Sequence, residues 1–312
     1  YSAVSYDKTG AKQSGGRALG AETNIGLTSS KTLSNGLKAD YGILLEDGVP
    51  DTFYLRVGSE AFGLTIANDY GTNSSQTTIP FVSDTFETIF SDNVAGSGAG
   101  NKVVYNNHGS NAHDKNHVAI GGKVNGTEYL VRYAPNNSGR NQDSDMCGSA
   151  TGTNCIGDIG GSATEIVVRG SFGVPGLGVM LAYETAENDH VAKGAAATAE
   201  DKKFKKYGLS YNFGVATVGV TQHKYEDGTA GQEDKATQYG ISGKLSKDLS
   251  AGIYYLTNDR NTGADDEKIK MAQIGYNFGG IGIELSYGQA ENANFTNGND
   301  FEVMQIRTIQ SF

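Results

Sequence analysis

The sequence predicts an all-β chain folded as a transmembrane antiparallel up-and-down β-barrel of sixteen strands. Three observations predict it. Apolar residues alternate with polar or small ones along many segments. Most of these segments have the length of a tilted membrane strand, roughly 9–11 residues. The connections between them alternate between short and long.

The alternation is plainest around two copies of YNFG, at 211–214 and 276–279. Tyr207, Leu209, Tyr211 and Phe213 precede Ala216, Val218 and Val220 in the first; Ala272, Ile274, Tyr276 and Phe278 precede Ile281, Ile283, Leu285 and Tyr287 in the second. The residues between are polar or tiny, so a period of two places each apolar set on one face of a hairpin. A sandwich would turn that face inward, whereas a membrane barrel turns it to lipid.

Strand length and loop sorting decide for the barrel. Read in order, the strands are 1–7, 20–30, 36–46, 52–59, 62–70, 116–124, 127–135, 164–173, 178–187, 205–213, 215–226, 236–246, 250–260, 268–278, 281–291 and 301–312. Strands of soluble sandwiches are nearer 5–6 residues. The short connections are 33–36, 59–63, 125–126, 174–178, 214–215, 246–248 and 279–280. Between them come 8–19, 47–51, 71–115, 136–163, 188–204, 227–235, 261–267 and 292–300, which are long, polar and acidic. Outer-membrane barrels have short turns at one rim and long loops at the other, and a sandwich has no reason to sort its loops this way. No composition break divides the chain, so 1–312 is expected to be one domain. Its opening YSAVSY already alternates and is read as the start of a mature or trimmed chain.

Composition excludes other classes. Lys plus Arg is 25 against 35 Asp plus Glu, a formal charge of −10, which argues against a nucleic-acid partner. Forty-four glycines with only 4 prolines suit strands with one crowded face. No segment approaches the ~20 apolar residues of a membrane helix, a test that barrels escape because their strands are half polar. The two cysteines, Cys147 and Cys155, close a Gly/Ser/Thr-rich loop, and the spacing reads as a disulfide formed in an oxidising compartment.

Together the even strand number, the sorted loops and a C-terminal strand ending in Phe312 resemble the sixteen-stranded general porins of bacterial outer membranes, especially the trimeric alphaproteobacterial type. The longest connection, residues 72–116, carries most of the resemblance. In that family the third loop folds into the lumen and forms an eyelet, with acidic groups facing basic groups across the opening. The resemblance then implies an acidic side at Asp84, Glu87 and Asp92, the first two in DTFETIF, with Phe86, Ile89 and Phe90 anchoring to the wall. Strand parity turns Lys38, Arg56, Arg132, Arg169 and Arg307 inward, with Arg17 at a loop–strand boundary, as the basic side. The chain lacks the Pro-Glu-Phe-Gly-Gly motif of enterobacterial third loops and any dense arginine ladder.

The expected function is passive diffusion of small hydrophilic solutes and ions across an outer membrane, weakly favouring cations, with no catalysis. The alternatives are a solute-specific porin and a non-channel surface β-protein. Expected partners are the bilayer, lipopolysaccharide, solutes and two further copies in a homotrimer. Weak outward faces at Ser2 and Thr23 suit a subunit contact. Tyr133, Tyr183, Tyr255 and Tyr287 suit interfacial girdles. No cofactor is expected beyond Ca²⁺ at an acidic loop containing Asp259, Asp265 and Asp266. GSGAG at 96–100 lacks the spacing of a phosphate loop, and His113 and His117 lack the glutamate of a zinc-protease motif.

Overall fold

The structure, a computed structural model, describes residues 2–9, 16–20, 24–46, 49–74, 77–82, 112–113, 115–135, 162–187, 201–226, 233–261, 265–279 and 281–310. Its strands are β1 (Ser2–Thr9), β2 (Gly16–Gly20), β3 (Asn24–Thr32), β4 (Lys38–Glu46), β5 (Val49–Gly58), β6 (Gly63–Asn68), β7 (His117–Val124), β8 (Thr127–Ala134) and β9 (Ala163–Gly170). Then follow β10 (Leu177–Ala186), β11 (Lys202–Asn212), β12 (Ala216–Glu226), β13 (Glu233–Lys244), β14 (Leu249–Arg260), β15 (Glu267–Phe278), β16 (Ile281–Glu291) and β17 (Asp300–Gln310). No described helix is long and apolar enough to cross a membrane.

Every strand from β3 to β17 pairs antiparallel with the next. β1 closes the ring, pairing with β17 through Ser2 opposite Arg307 and with β2 through Ser2 opposite Gly20. Pairing in a ring satisfies backbone groups that hydrocarbon would leave without partners. β3 and β17 run the same way, after fourteen reversals between them, and β1 runs against both β17 and β2. β2 and β3 therefore run in one direction and are two segments of a single strand position. Among the described residues this gives about sixteen strand positions, where the sequence reading placed one strand at 20–30.

The faces are inverted relative to a soluble protein. Ile25, Leu27, Leu55, Ile66, Ile120, Val131, Leu209, Ile253, Ile274 and Ile306 are exposed on the outside, while Arg132, Glu165, Lys206, His223, Gln273 and Gln305 are buried inside. An apolar band this extensive in water would carry a penalty of ~25 cal/mol per Å²; lipid removes it. The inner face is not polar throughout, however. Tyr254, Leu256, Ile269, Met271, Phe301 and Val303 point inward and are buried with Ile79 in one cluster. Their partner is a loop that enters the lumen.

One rim carries the turns. Asn125 and Gly126 both hold positive φ, 49° and 74°, the geometry of a two-residue hairpin turn that matches strand twist. At the other rim the expected connection 47–51 contracts to 47–48, because β5 begins at Val49 and includes Pro50. A register shift between Leu44 and Leu45 absorbs the proline, a role bulges serve in strands. β11 and β13 begin about three residues earlier than their alternation implied, at Lys202 and Glu233. Their charged first residues continue the ladder beyond the apolar band.

Candidate functional site: the lumen and the segment that crosses it

The segment after β6 turns into the barrel. Asp69 holds φ 48° and Gly71 φ 91°, and between them Tyr70 stacks on the inward Tyr54 with ring centroids 3.8 Å apart. Thr72 donates to Glu128 at 2.6 Å. Arg132, fully buried, then fixes the root of the segment: its guanidinium donates to the carbonyls of Tyr70 (2.9 Å) and Thr72 (3.1 Å) and pairs with Glu165. The Ser74 N–H donates to Glu165 at 2.5 Å and its hydroxyl to Glu184 at 3.1 Å. Buried carboxylates held by one guanidinium and by loop donors make this a charge-assisted anchor.

Farther on, the segment crosses the strands. Thr77 meets Thr221 at 3.0 Å and donates to Gln238 at 3.1 Å. Thr78 donates from its hydroxyl to the carbonyl of Val220 at 3.3 Å. Ile79 is buried against Tyr254 and Leu256. The Tyr254 hydroxyl donates to the carbonyl of Pro80 (3.3 Å) and accepts from the N–H of Val82 (2.8 Å), which also donates to Gln273 at 3.2 Å. From Ser74 to Val82 the chain touches β9 through β15. The described residues of this segment form a strap laid across the wall, with a tight turn near its end where the Phe81 N–H donates to the carbonyl of Ile79 at 3.0 Å.

Four inward glycines form its seat. A Cβ on Gly208 would lie 2.6 Å from Thr78 Oγ1, on Gly219 2.8 Å from the carbonyl oxygen of Thr78, on Gly240 2.5 Å from Ile79, and on Gly275 2.9 Å from Val82. The sequence carried this signal as glycines inside otherwise strong strand patterns, which mark close backbone approach. Tyr254, Thr221, Gln238, Gln273, Glu165 and Glu184 were not anticipated, because nothing local shows which inward groups meet a distant loop.

The wall not covered by residues 69–82 carries most of the expected basic groups. Arg56 lies 3.9 Å from Asp40 and donates to the carbonyl of Ser59 at 2.5 Å. Lys38 is exposed at the turn end of β4, and Arg307 is part-buried opposite Glu284. Arg169 is part-buried opposite Glu128. Arg17 lies in β2 opposite Ser5. Arg132 faces inward as parity requires, but it sits under the strap and anchors it. A cavity of about 300 Å³ lies beside the strap's root, lined by Asp40, Arg56, Glu60, Lys123, Glu128 and Tyr129 among others. Asp84, Glu87, Asp92, Cys147, Cys155 and Thr23 lie outside the described residues. Asp259 is the penultimate residue of β14, on the outer face, and Asp265 and Asp266 precede β15; among the described residues no three His, Cys, Asp or Glu side chains are grouped to hold a metal. His113 pairs with Asp69 at 2.8 Å, and His117 meets the carbonyl of Lys115. Tyr133, Tyr183, Tyr255 and Tyr287 all face outward as expected of a girdle.

No protein-family model and no curated protein sequence matches the chain. Solved structures do. The anion-selective porin of Comamonas acidovorans is similar at a TM-score of 0.64 with 15% identity, covering 100% of this chain and 97% of that one. OmpF of Salmonella typhi in complex with daunomycin aligns at 0.64 and 12%, covering 99% and 96%. The outer-membrane OmpT of Vibrio cholerae aligns at 0.58 and 14%, covering 99% and 95%. The chain has the fold of the bacterial outer-membrane porins.

Proposed function

We propose that the protein is a porin of a bacterial outer membrane, a water-filled channel through which small hydrophilic solutes and ions diffuse without energy coupling. It is a channel and not an enzyme. The observation that carries this reading is the combination of an apolar outside, a polar inside and a strap that narrows the lumen along one wall. The porin structures it resembles support it. In a passage of this kind, selection comes from width and local charge. With a formal charge of −10, the protein concentrates cations at its mouths and weakly favours them. Asp84, Glu87 and Asp92, which follow the strap in sequence, supply the acidic side of the constriction. Lys38, Arg56, Arg307 and Arg17 supply the opposing side. The functional unit is a homotrimer joined through its first strands, in contact with lipid and lipopolysaccharide elsewhere.

Single-channel current across a planar bilayer under a salt gradient tests the proposal. Discrete steps with a reversal potential favouring cations are expected. Steps favouring anions would overturn the charge argument and assign selectivity to the inward arginines. Correctly folded protein that passes no current would overturn the channel itself. The cavity beside Arg56 favours a second reading, a porin with a solute site, for which the same apparatus would show saturable block by its solute.

A further inference from the structure

The far end of the strap roofs a second cavity, unlike the one beside Arg56. It measures about 380 Å³ and lies on the turn side of the strap, lined by Phe81, Val82, Asn212, Thr217, Ser242 and Lys244 among others. That size falls within the range of small-molecule pockets, roughly 300–1,000 Å³. The cavity beside Arg56 is lined by charges of both signs. Among the described residues this one has a single charged lining group, Lys244, exposed at the rim. The register accounts for the lining. Asn212 stands opposite Thr217 and Thr217 opposite Ser242, while Ser250 stands opposite Lys244 one step nearer the turns. Strand spacing sets Asn212, Thr217 and Ser242 in a row at intervals of roughly 4.8 Å.

The fold does not use up these polar groups. Among the described residues, no hydrogen-bond partner meets the hydroxyls of Thr217, Ser242 and Ser250. The Asn212 amide oxygen accepts from the Gly214 N–H at 2.6 Å, which leaves its amide nitrogen to donate. Farther along the same row the Ser286 hydroxyl is already engaged, accepting from Gln273 at 3.3 Å. The roof is aromatic. Phe81 is held by the tight turn to Ile79 and by Tyr254, with ring centroids 4.7 Å apart. A hydroxyl both donates and accepts, so the row suits a ligand whose own groups do both and bear no charge. The electron-rich face of an aromatic ring attracts the C–H groups of a saturated ring. A sugar combines hydroxyls along its edge with C–H groups on its face.

We propose that this cavity binds a neutral saccharide beneath the strap. The inference rests on the porin reading only for the route by which a solute reaches the lumen. It is tested on the intact barrel in phosphatidylcholine nanodiscs, free of glycosidic detergent, by saturation-transfer NMR with maltose and with its carboxylate counterpart, maltobionate. Saturable binding of maltose is expected, with weaker binding of maltobionate. Thr217→Val and Ser242→Ala each remove one hydroxyl and weaken maltose binding roughly fivefold. Phe81→Leu, which keeps the apolar contact but loses the ring face, weakens it by about the same factor, whereas Phe81→Tyr retains it. Ser286→Ala leaves it unchanged, and heat-modifiable gel migration establishes that each variant is a folded barrel. Absence of saturable binding, or equal binding by the Thr217→Val, Ser242→Ala double variant, would overturn the proposal. So would tighter binding of maltobionate that is lost in Lys244→Gln, which would assign the cavity to anions. Conductance measured on the same preparations separates the two readings: maltose binding without current removes the channel and leaves the site, and current without binding does the reverse.

Discussion

Arg132 shows how one side chain can organise a lumen. Its guanidinium is fully buried between Glu165 and two loop carbonyls. Truncating one partner of such a group leaves uncompensated charge, at about 3–5 kcal/mol. Arg132→Met is therefore expected to lower the unfolding midpoint in urea and to release the strap's root, seen as larger and more variable single-channel steps. Glu187, at the outer end of β10, is a contrasting case. It accepts from the N–H and hydroxyl of Ser162 at 2.8 and 3.0 Å, and these bonds hold its carboxyl below the usual carboxylate range. A depressed carboxylate contributes stability above its unfolded pKa and loses it as pH falls through the folded one. Wild type should be more heat-resistant than Glu187→Gln at neutral pH, and the two should converge in acid, below the ordinary carboxylate pKa.

The strands and turns were legible because alternation and loop length are local signals. Parity alone places Arg56, Arg132, Arg169 and Arg307 on the inner face. Membrane depth supplies the test: Leu209→Arg, on the lipid face, is expected to destabilise folding by roughly 2–4 kcal/mol near mid-depth, while Ser210→Arg, one residue on and facing inward, leaves folding in vesicles intact. The strap was less legible. Its TTIPFV stretch looks like ordinary loop, and its partners are scattered over seven strands up to 191 residues away in sequence. Gly240 records the contact only as a missing side chain. Gly240→Val would set a Cβ against Ile79, so the strap is expected to lift while the ring stays closed. Unchanged conductance from a folded Gly240→Val barrel would show that residues 77–82 do not bound the passage.

At the scale of the molecule, the sequence holds ten more carboxylates than lysines and arginines, and in the proposed porin that surplus acts on ions approaching either mouth. Fields at the mouths fade over a Debye length of about 10 Å at 0.1 M salt. Cation preference should therefore weaken as bath salt rises from 0.01 to 1 M, measured as a reversal potential that drifts toward the value for free ion mobilities at a fixed concentration ratio. A preference that persists undiminished would place selection in the constriction and not in the overall charge.

The strap also changes what kind of mechanical object the barrel is. A ring of hydrogen-bonded strands is a hoop that resists stretching around its circumference but flexes at each joint and ovalises under lateral pressure. Tying β8 through β15 to one internal strap stiffens that arc. In the proposed porin, deformation is then expected mainly in the arc away from the strap, β16 and β17 round to β7, the side that bears Arg56 and Arg307. The aperture of such a channel is expected to breathe mainly along one axis, so that pressure in the surrounding bilayer would set its width.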